Sequence, residues 1–238
     1  MNHKTIGIIG GMGPLATADL FRKIVLNTDA PNDQEHLRVL IDNNTAIPDR
    51  TSALLNDGED PVPQMCKSAR LLEQMGAELL LIPCNTAHCF HKAVQQSVGV
   101  PVLHMIQVTA KVLKDQGVDT VGLLATDGTV RCGLYERVCA EYGITTLCPE
   151  EAEQKAVMDL IYNGVKAGRA DYDASTVKKT INHLLQRGAK AIILGCTELP
   201  LAVTMYGLKA PFVDPTLELA RAAIVAANGI CVKEPSIA

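Results

Sequence analysis

The chain has 238 residues, enough for one large domain or two small ones, and 47% hydrophobic with 20% charged residues is the profile of a globular chain. A net charge of −4, with no Trp, five Tyr and three Phe, offers neither a basic face nor rings for base stacking, which argues against nucleic acid as a partner. The longest uncharged stretch, Ala93 to Ala110, contains three Gln, a Ser, a His, a Gly and a Pro, so no membrane span is expected.

At the N-terminus Lys4, an apolar stretch from Thr5 to Leu15 and then Ala16-Thr17-Ala18 imitate an export signal. Gly10, Gly11, Gly13 and Pro14 break the stretch, and a counterpart recurs inside the chain, so a cytoplasmic protein with reduced thiols is expected. Short apolar runs then alternate with helical spacing. Strands are expected at Thr5–Ile9, Leu37–Asp42, Leu79–Ile82, Val100–Leu103, Thr120–Leu124, Ile144–Leu147, Ala191–Leu194 and Phe212–Val213. Helical faces are marked by Leu20, Ile24 and Thr28; by Met65, Ala69 and Leu72; by Val157, Leu160, Ile161 and Val165; and by Val177, Ile181, Leu184 and Leu185. The strands are apolar throughout rather than alternating, which suits parallel strands covered on both faces, so the class is α/β.

The chain also repeats itself. Thr5-Ile6-Gly7-Ile8-Ile9 returns as Thr120-Val121-Gly122-Leu123-Leu124 at an offset of 115, and the segment from Leu72 to Cys84 returns as Leu184 to Cys196 at 112. Val100-Pro101-Val102-Leu103 returns as Ala210-Pro211-Phe212-Val213 at 110. Three matches in one order at nearly one offset predict two pseudo-symmetric lobes, each a mostly parallel sheet of about four strands flanked by helices. Residues 1–112 with 210–238 are expected to form one lobe, to which the C-terminal helix returns, and residues 113–209 the other. Gly76 and Gly188 each end the helix before the cysteine strand.

In both lobes a cysteine stands at the carboxyl end of an apolar strand, as Cys84-Asn85-Thr86 and Cys196-Thr197-Glu198. Ligands of parallel sheets bind beyond the carboxyl ends of strands. Asn85 or Thr86, and Thr197, are expected to cap the next helix, with Pro200 in its first turn, and a helix N-terminus lowers the pKa of an adjacent thiol. Two opposed thiols, one ionised and one not, suit inversion of a stereocentre without a cofactor: a base removes a proton from one face of a carbon and an acid returns one to the other. Donors on Asn85, Thr86, Thr129 and Thr197 are placed to stabilise the charge that develops. A lone cysteine at a strand end is more often a small buried hydrophobe, and Cys66, Cys89, Cys132, Cys139, Cys148 and Cys231, which lack such pairing, are read as structural.

Two other readings compete for these segments. Cys84, His88, Cys89 and His91 form a C-x3-H-C-x-H set, but on a helix residues 88 and 91 share a face that Cys89 does not, and the second lobe lacks the ligands; no metal is expected and the histidines are read as partly exposed. Gly11-Met12-Gly13-Pro14-Leu15-Ala16 satisfies the weak form of the dinucleotide fingerprint, yet Pro14 lacks an N–H and Asp42 comes late, so the glycines are read as letting the loop approach a small ligand.

Arg50 follows Pro48-Asp49 in a loop after the second strand, and Lys166 stands between Gly164 and Gly168 at a helix end, 116 residues on. Arg50 would bind one carboxylate as a fork and Lys166 another as a point charge, which implies a small dianionic ligand.

Taken together, Gly10 to Ala18, Asn43-Asn44 with Ile47 to Thr51, Pro83 to His88, Gly164 to Gly168 and Gly195 to Leu199 resemble the aspartate racemases of the aspartate/glutamate racemase superfamily, over Lys4 to about Ala227. The resemblance implies a cofactor-independent, two-base racemisation that interconverts L- and D-aspartate, by a two-lobed homodimer. Cys84 and Cys196 match the catalytic pair, Arg50 and Lys166 the carboxylate-binding residues, and Asn85, Thr86 and Thr197 the loops around the α-carbon. Met12, Thr51 and Glu198, in these segments, and Thr129, a donor in the second lobe, complete the expected substrate-binding set. Glutamate or broader specificity, and a dicarboxylate-binding module without turnover, are the alternatives.

Overall fold

The computed structural model describes residues 3–232. These divide into two compact units, one running up to Val108 and resuming at Thr216, the other Thr109–Pro215.

The first unit contains β1 (Ile6–Gly10), α1 (Pro14–Asn27), β2 (Val39–Asn43), α2 (Arg50–Leu55), α3 (Val62–Gln74), β3 (Leu79–Leu81), α4 (His91–Gln96) and the start of α5 (Met105–Asp115). Its parallel sheet runs β2-β1-β3, with Ile6 opposite both Val39 and Leu79. β1 and β3 are buried along their whole length, as continuous apolar runs predict, while the edge strand β2 is half exposed. Ile8, Leu79 and Leu81 pack with Leu20 and Ile24 of α1 on one side, and Ile9, Leu80 and Ile82 with Met65, Ala69 and Leu72 of α3 on the other. Gly7 sits where an added Cβ would lie 2.6 Å from Leu80 and 2.9 Å from Ala77.

The second unit continues with β4 (Thr120–Ala125), α6 (Asp127–Cys132), α7 (Leu134–Glu141), β5 (Thr145–Leu147), α8 (Glu151–Asp159), α9 (Ser175–Gln186), β6 (Ala191–Gly195), α10 (Leu199–Tyr206) and β7 (Phe212–Val213). The sheet runs β5-β4-β6-β7, all parallel. Its core joins Val157, Leu160, Ile161 and Val165 to Val177, Ile181 and Leu184, the two helical faces marked in the sequence. The order reproduces β2-β1-β3 with one strand added, and Gly122 repeats the packing of Gly7, its notional Cβ 2.6 Å from Ile192. Gly76 and Gly188 close their helices at φ +96 and +104, conformations that side chains disfavour.

Two expectations change. Val100–Leu103 is no full strand: it meets β3 only through a Leu80–Val102 bridge. Its outward groups are taken by side chains instead, since Gln95 bonds both Val100 O (3.0 Å) and Val102 N (2.8 Å), and Glu73 accepts from Gly99 N (2.7 Å). An edge satisfied in this way gains little from a ladder. The boundary placed at residue 210 also moves, because β7 pairs with β6 and so belongs to the second unit. The C-terminal helix α11 (Pro215–Ala226) does return to the first unit, burying Leu219, Ala220, Ala223 and Ile224 against Leu20 and Ile24.

Candidate active site

In the first unit the register of β1 with β3 brings the Gly11–Pro14 loop and the Cys84 corner to the same carboxyl edge of the sheet. Met12 and Cys84 are buried in one cluster with Ile47 and Ala87. Cys84 N donates to Ile82 O at 2.9 Å in a tight turn, and a 3-10 helix, Thr86–Phe90, follows. Asn85 and Thr86 are buried beside the thiol. Asn85 does not cap that helix with its side chain: its backbone is already helical (φ −61, ψ −49), and a capping side chain needs an extended backbone.

Arg50 opens α2, whose N-cap is Asp49, accepting from Ser52 N at 2.7 Å. The guanidinium is held by three carbonyls, Pro48 O (2.9 Å) and Ile47 O (3.4 Å) through Nη1 and Met12 O (3.2 Å) through Nη2. Nε is buried with no protein acceptor, a donor left for a ligand. α2 packs against the Thr86–Phe90 turn, which places Arg50 and Thr51 on the element next to Cys84.

In the second unit Ala125 pairs with Gly195, so the turn after β4 and the Cys196 corner share a carboxyl edge. Thr126 caps α6, accepting from Thr129 N at 3.3 Å, with the buried Thr129 hydroxyl 3.1 Å from its own. Cys196 is buried, and Sγ donates to Glu198 Oε2 at 2.9 Å; Thr197 Oγ1 donates to the same oxygen at 3.3 Å. Lys166 Nζ lies 3.9 Å from Glu198 Oε1 and 4.3 Å from the centre of the Tyr162 ring. Lys166 follows a π-helical turn, Leu160–Val165, rather than an ordinary α-helix end.

The electrostatics correct one expectation. Burial, then the adjacent Glu198 charge and hydrogen bond, push the Cys196 thiol well above its usual range, and the Glu198 backbone N–H and Lys166 only partly offset them. A helix N-terminus was expected to lower it, but Glu198, itself the N-cap residue of α10, makes no cap with its side chain, and its carboxylate opposes ionisation of the thiol. Pro200 lies in the first turn as expected. At neutral pH Cys196 is a thiol with a carboxylate as proton acceptor.

Each unit thus gathers its own share of the expected residues: Met12, Arg50, Thr51, Cys84, Asn85 and Thr86 in one, and Thr129, Lys166, Cys196, Thr197 and Glu198 in the other. Tyr162 was missed, although its place four residues before Lys166 puts the two on one helical face. His88 was misread as partly exposed; it is fully buried. Reduced thiols hold for Cys66, Cys84, Cys139, Cys148, Cys196 and Cys231, whereas Cys89 and Cys132 are disulfide-bonded, which removes Cys89 from any zinc set. Among the described residues no group of three or more His, Cys, Asp or Glu is arranged to hold a metal ion, and no helix is long and apolar enough to cross a membrane.

The chain is similar over most of its length to known proteins. An aspartate racemase from Picrophilus torridus superposes with a TM-score of 0.85 at 35% identity, covering 97% of this chain and 96% of that one. A putative Asp/Glu racemase from Yersinia pestis superposes at 0.79 with 27% identity, over 94% and 99% of the two chains. The broad specificity amino-acid racemase RacX of Bacillus subtilis (strain 168) is 25% identical over 225 residues, 92% of this chain and 96% of its own. Residues 9–223 match the family described as Asp/Glu/Hydantoin racemase, and the chain belongs to that family.

Proposed function

We propose that the protein interconverts L- and D-aspartate without a cofactor, moving the α-proton between substrate and the thiols of Cys84 and Cys196. The observation that carries this reading is the duplicated corner: in each unit the strand beside the central one ends in a buried cysteine followed by buried hydroxyl or amide side chains. Family membership supports a racemase, and the Picrophilus neighbour supports aspartate.

In one direction the Cys84 thiolate takes the α-proton, the C–H bond breaks, and its electron pair delocalises into the α-carboxylate. The Cys196 thiol returns a proton to the opposite face, forming the new C–H bond and leaving a thiolate. The reverse reaction exchanges the roles. Arg50 and Lys166 bind the two carboxylates, Arg50 through the Nε that no protein group occupies. Asn85, Thr86, Thr129 and Thr197 supply donors to the charge on the intermediate, and Met12 and Thr51 line the ligand. Glu198 accepts the Cys196 hydrogen bond and favours its thiol form, the form that starts the first direction as acid; the thiolate left after transfer starts the reverse direction as base. The same reading carries a cytoplasmic homodimer.

The test is exchange in deuterated water. Each aspartate enantiomer is incubated with wild type, Cys84→Ala and Cys196→Ala; both single variants are expected to lose racemisation by about a hundredfold or more. Racemisation at the wild-type rate by both would end the two-base assignment. Tight binding of aspartate without α-proton exchange would favour a binding module. The chain-long similarity to RacX favours a second reading, a broader substrate range, which turnover across glutamate and neutral amino acids distinguishes.

A further inference from the structure

His88 lies four residues after Cys84, fully buried in the Thr86–Phe90 turn. Nδ1 is 2.9 Å from the Cys84 carbonyl oxygen, and Nε2 is 3.0 Å from the Met105 amide nitrogen. A carbonyl only accepts and an amide N–H only donates, so the partners assign the proton to Nδ1 and the lone pair to Nε2. Both ring nitrogens are used, and one tautomer satisfies both.

The ring is also held in place. His91 stacks at 5.8 Å with planes 12° apart, and His104 lies at 4.9 Å. Those rings are anchored in turn, His91 through Nε2 on Val102 O at 2.8 Å and His104 through Nδ1, which accepts from Gln107 N at 3.3 Å. Burial, reinforced by the neighbouring His104 and His91, lowers the His88 pKa to about 3, so at neutral pH it is an uncharged imidazole with no proton to spare.

We infer that His88 is a positioning residue for Cys84: its Nδ1–H, donated to the Cys84 carbonyl, holds that residue's backbone and thereby fixes where Sγ points. The Cys84 N–H is already held by Ile82 O at 2.9 Å, so His88 completes the restraint of that residue's backbone on both sides. Its role in turnover rests on the proposed racemase reading; its control of the thiol does not.

Two variants divide the ring's bonds. His88→Asn keeps an amide N–H near the place of Nδ1, and His88→Gln keeps an amide oxygen near the place of Nε2. With aspartate as substrate, His88→Gln is expected to lose about tenfold to a hundredfold in kcat with KM little changed, because misplacing a reacting group costs rate rather than affinity. His88→Asn is expected to stay within about threefold of wild type. Alkylation of Cys84 by iodoacetamide, followed by peptide mass spectrometry with Cys196 as internal reference, is expected to change about fivefold or more in His88→Gln and little in His88→Asn. Equal behaviour of the two variants, or Cys84 alkylation unchanged in both, would overturn the inference. If wild type exchanges no α-proton with any amino acid, the racemase reading fails and the alkylation comparison alone decides the role of His88.

Discussion

The two cysteine corners match in the repeat and differ in what stands next to them. Two residues after Cys196 is Glu198, whose carboxylate takes the thiol's hydrogen bond at 2.9 Å and has Lys166 within 3.9 Å. Two residues after Cys84 is Thr86, and the ionisable neighbour is His88, uncharged and bonded to the main chain. The buried Cys196 thiol has a carboxylate beside it, while beside Cys84 an uncharged ring bonds the main chain. A repeated fold can therefore place its two matched cysteines in different surroundings.

Glu198→Gln breaks this difference most directly. It removes the charge and puts a neutral amide in place of the carboxylate acceptor, which together, after burial, oppose ionisation of Cys196. The Cys196 thiol should ionise at lower pH, so its alkylation at neutral pH should rise while that of Cys84 holds. Racemisation should fall by about a hundredfold, the usual contribution of a placed proton donor. An unchanged pH profile for Cys196 alkylation would mean that burial alone sets the thiol, and the contrast between the corners would lose its electrostatic half.

The next comparison concerns packing. A methyl group on Gly7 would lie 2.6 Å from Leu80 Cδ2 and 2.9 Å from the Cβ of Ala77, while one on Gly122 would lie 2.6 Å from Ile192 Cδ1 and 3.1 Å from Leu184 Cδ1. The ends of Ile192 and Leu184 can swing aside, but Ala77 has no side-chain torsion with which to withdraw its Cβ. Both alanine variants should lose stability by about 1–3 kcal/mol, with Gly7→Ala the worse. Denaturant unfolding of the two variants checks the order, and an equal loss would show that the cores yield alike.

Much of this was legible in the sequence because the repeat is written in apolar runs and glycines, which local physics reads directly. Strands of the cores, the glycines at 76 and 188 and the position of both cysteines follow from alternation and offset alone. The misreadings lie where side chains replace backbone bonding. Val100–Leu103 has the composition of a strand, but its outward groups are taken by the side chains of Gln95, a few residues before it, and of Glu73, distant in sequence. The thiol of Cys196 was assigned from the helix N-terminus, a weak field, when burial first and then a carboxylate two residues away outweigh it. His88 gives no periodic signal, because its burial depends on Met105 and on rings brought together only by the fold.

The histidine stack supplies the smallest contrast, since the second unit has a single histidine, His183. His88 is lowered to about 3 and His104 to about 4 by burial first, and His91 is lowered as well. Between the ordinary value of 6.5 and these folded values the unfolded chain binds protons that the folded one does not, so stability is full above about pH 6.5 and is lost as pH falls below it. From pH 7 to 6 the linkage for one such histidine comes to about 0.7 kcal/mol, with less from the partly solvated His91 and His104. Amide hydrogen exchange at both pH values, corrected for intrinsic rates, should therefore show β3 and the Thr86–Phe90 turn opening more easily at pH 6 while β6 does not. His88→Asn should shrink that difference, because the group that titrates most unfavourably is gone; an equal loss of protection in β6 would show that acid acts on the whole chain and not through the stack.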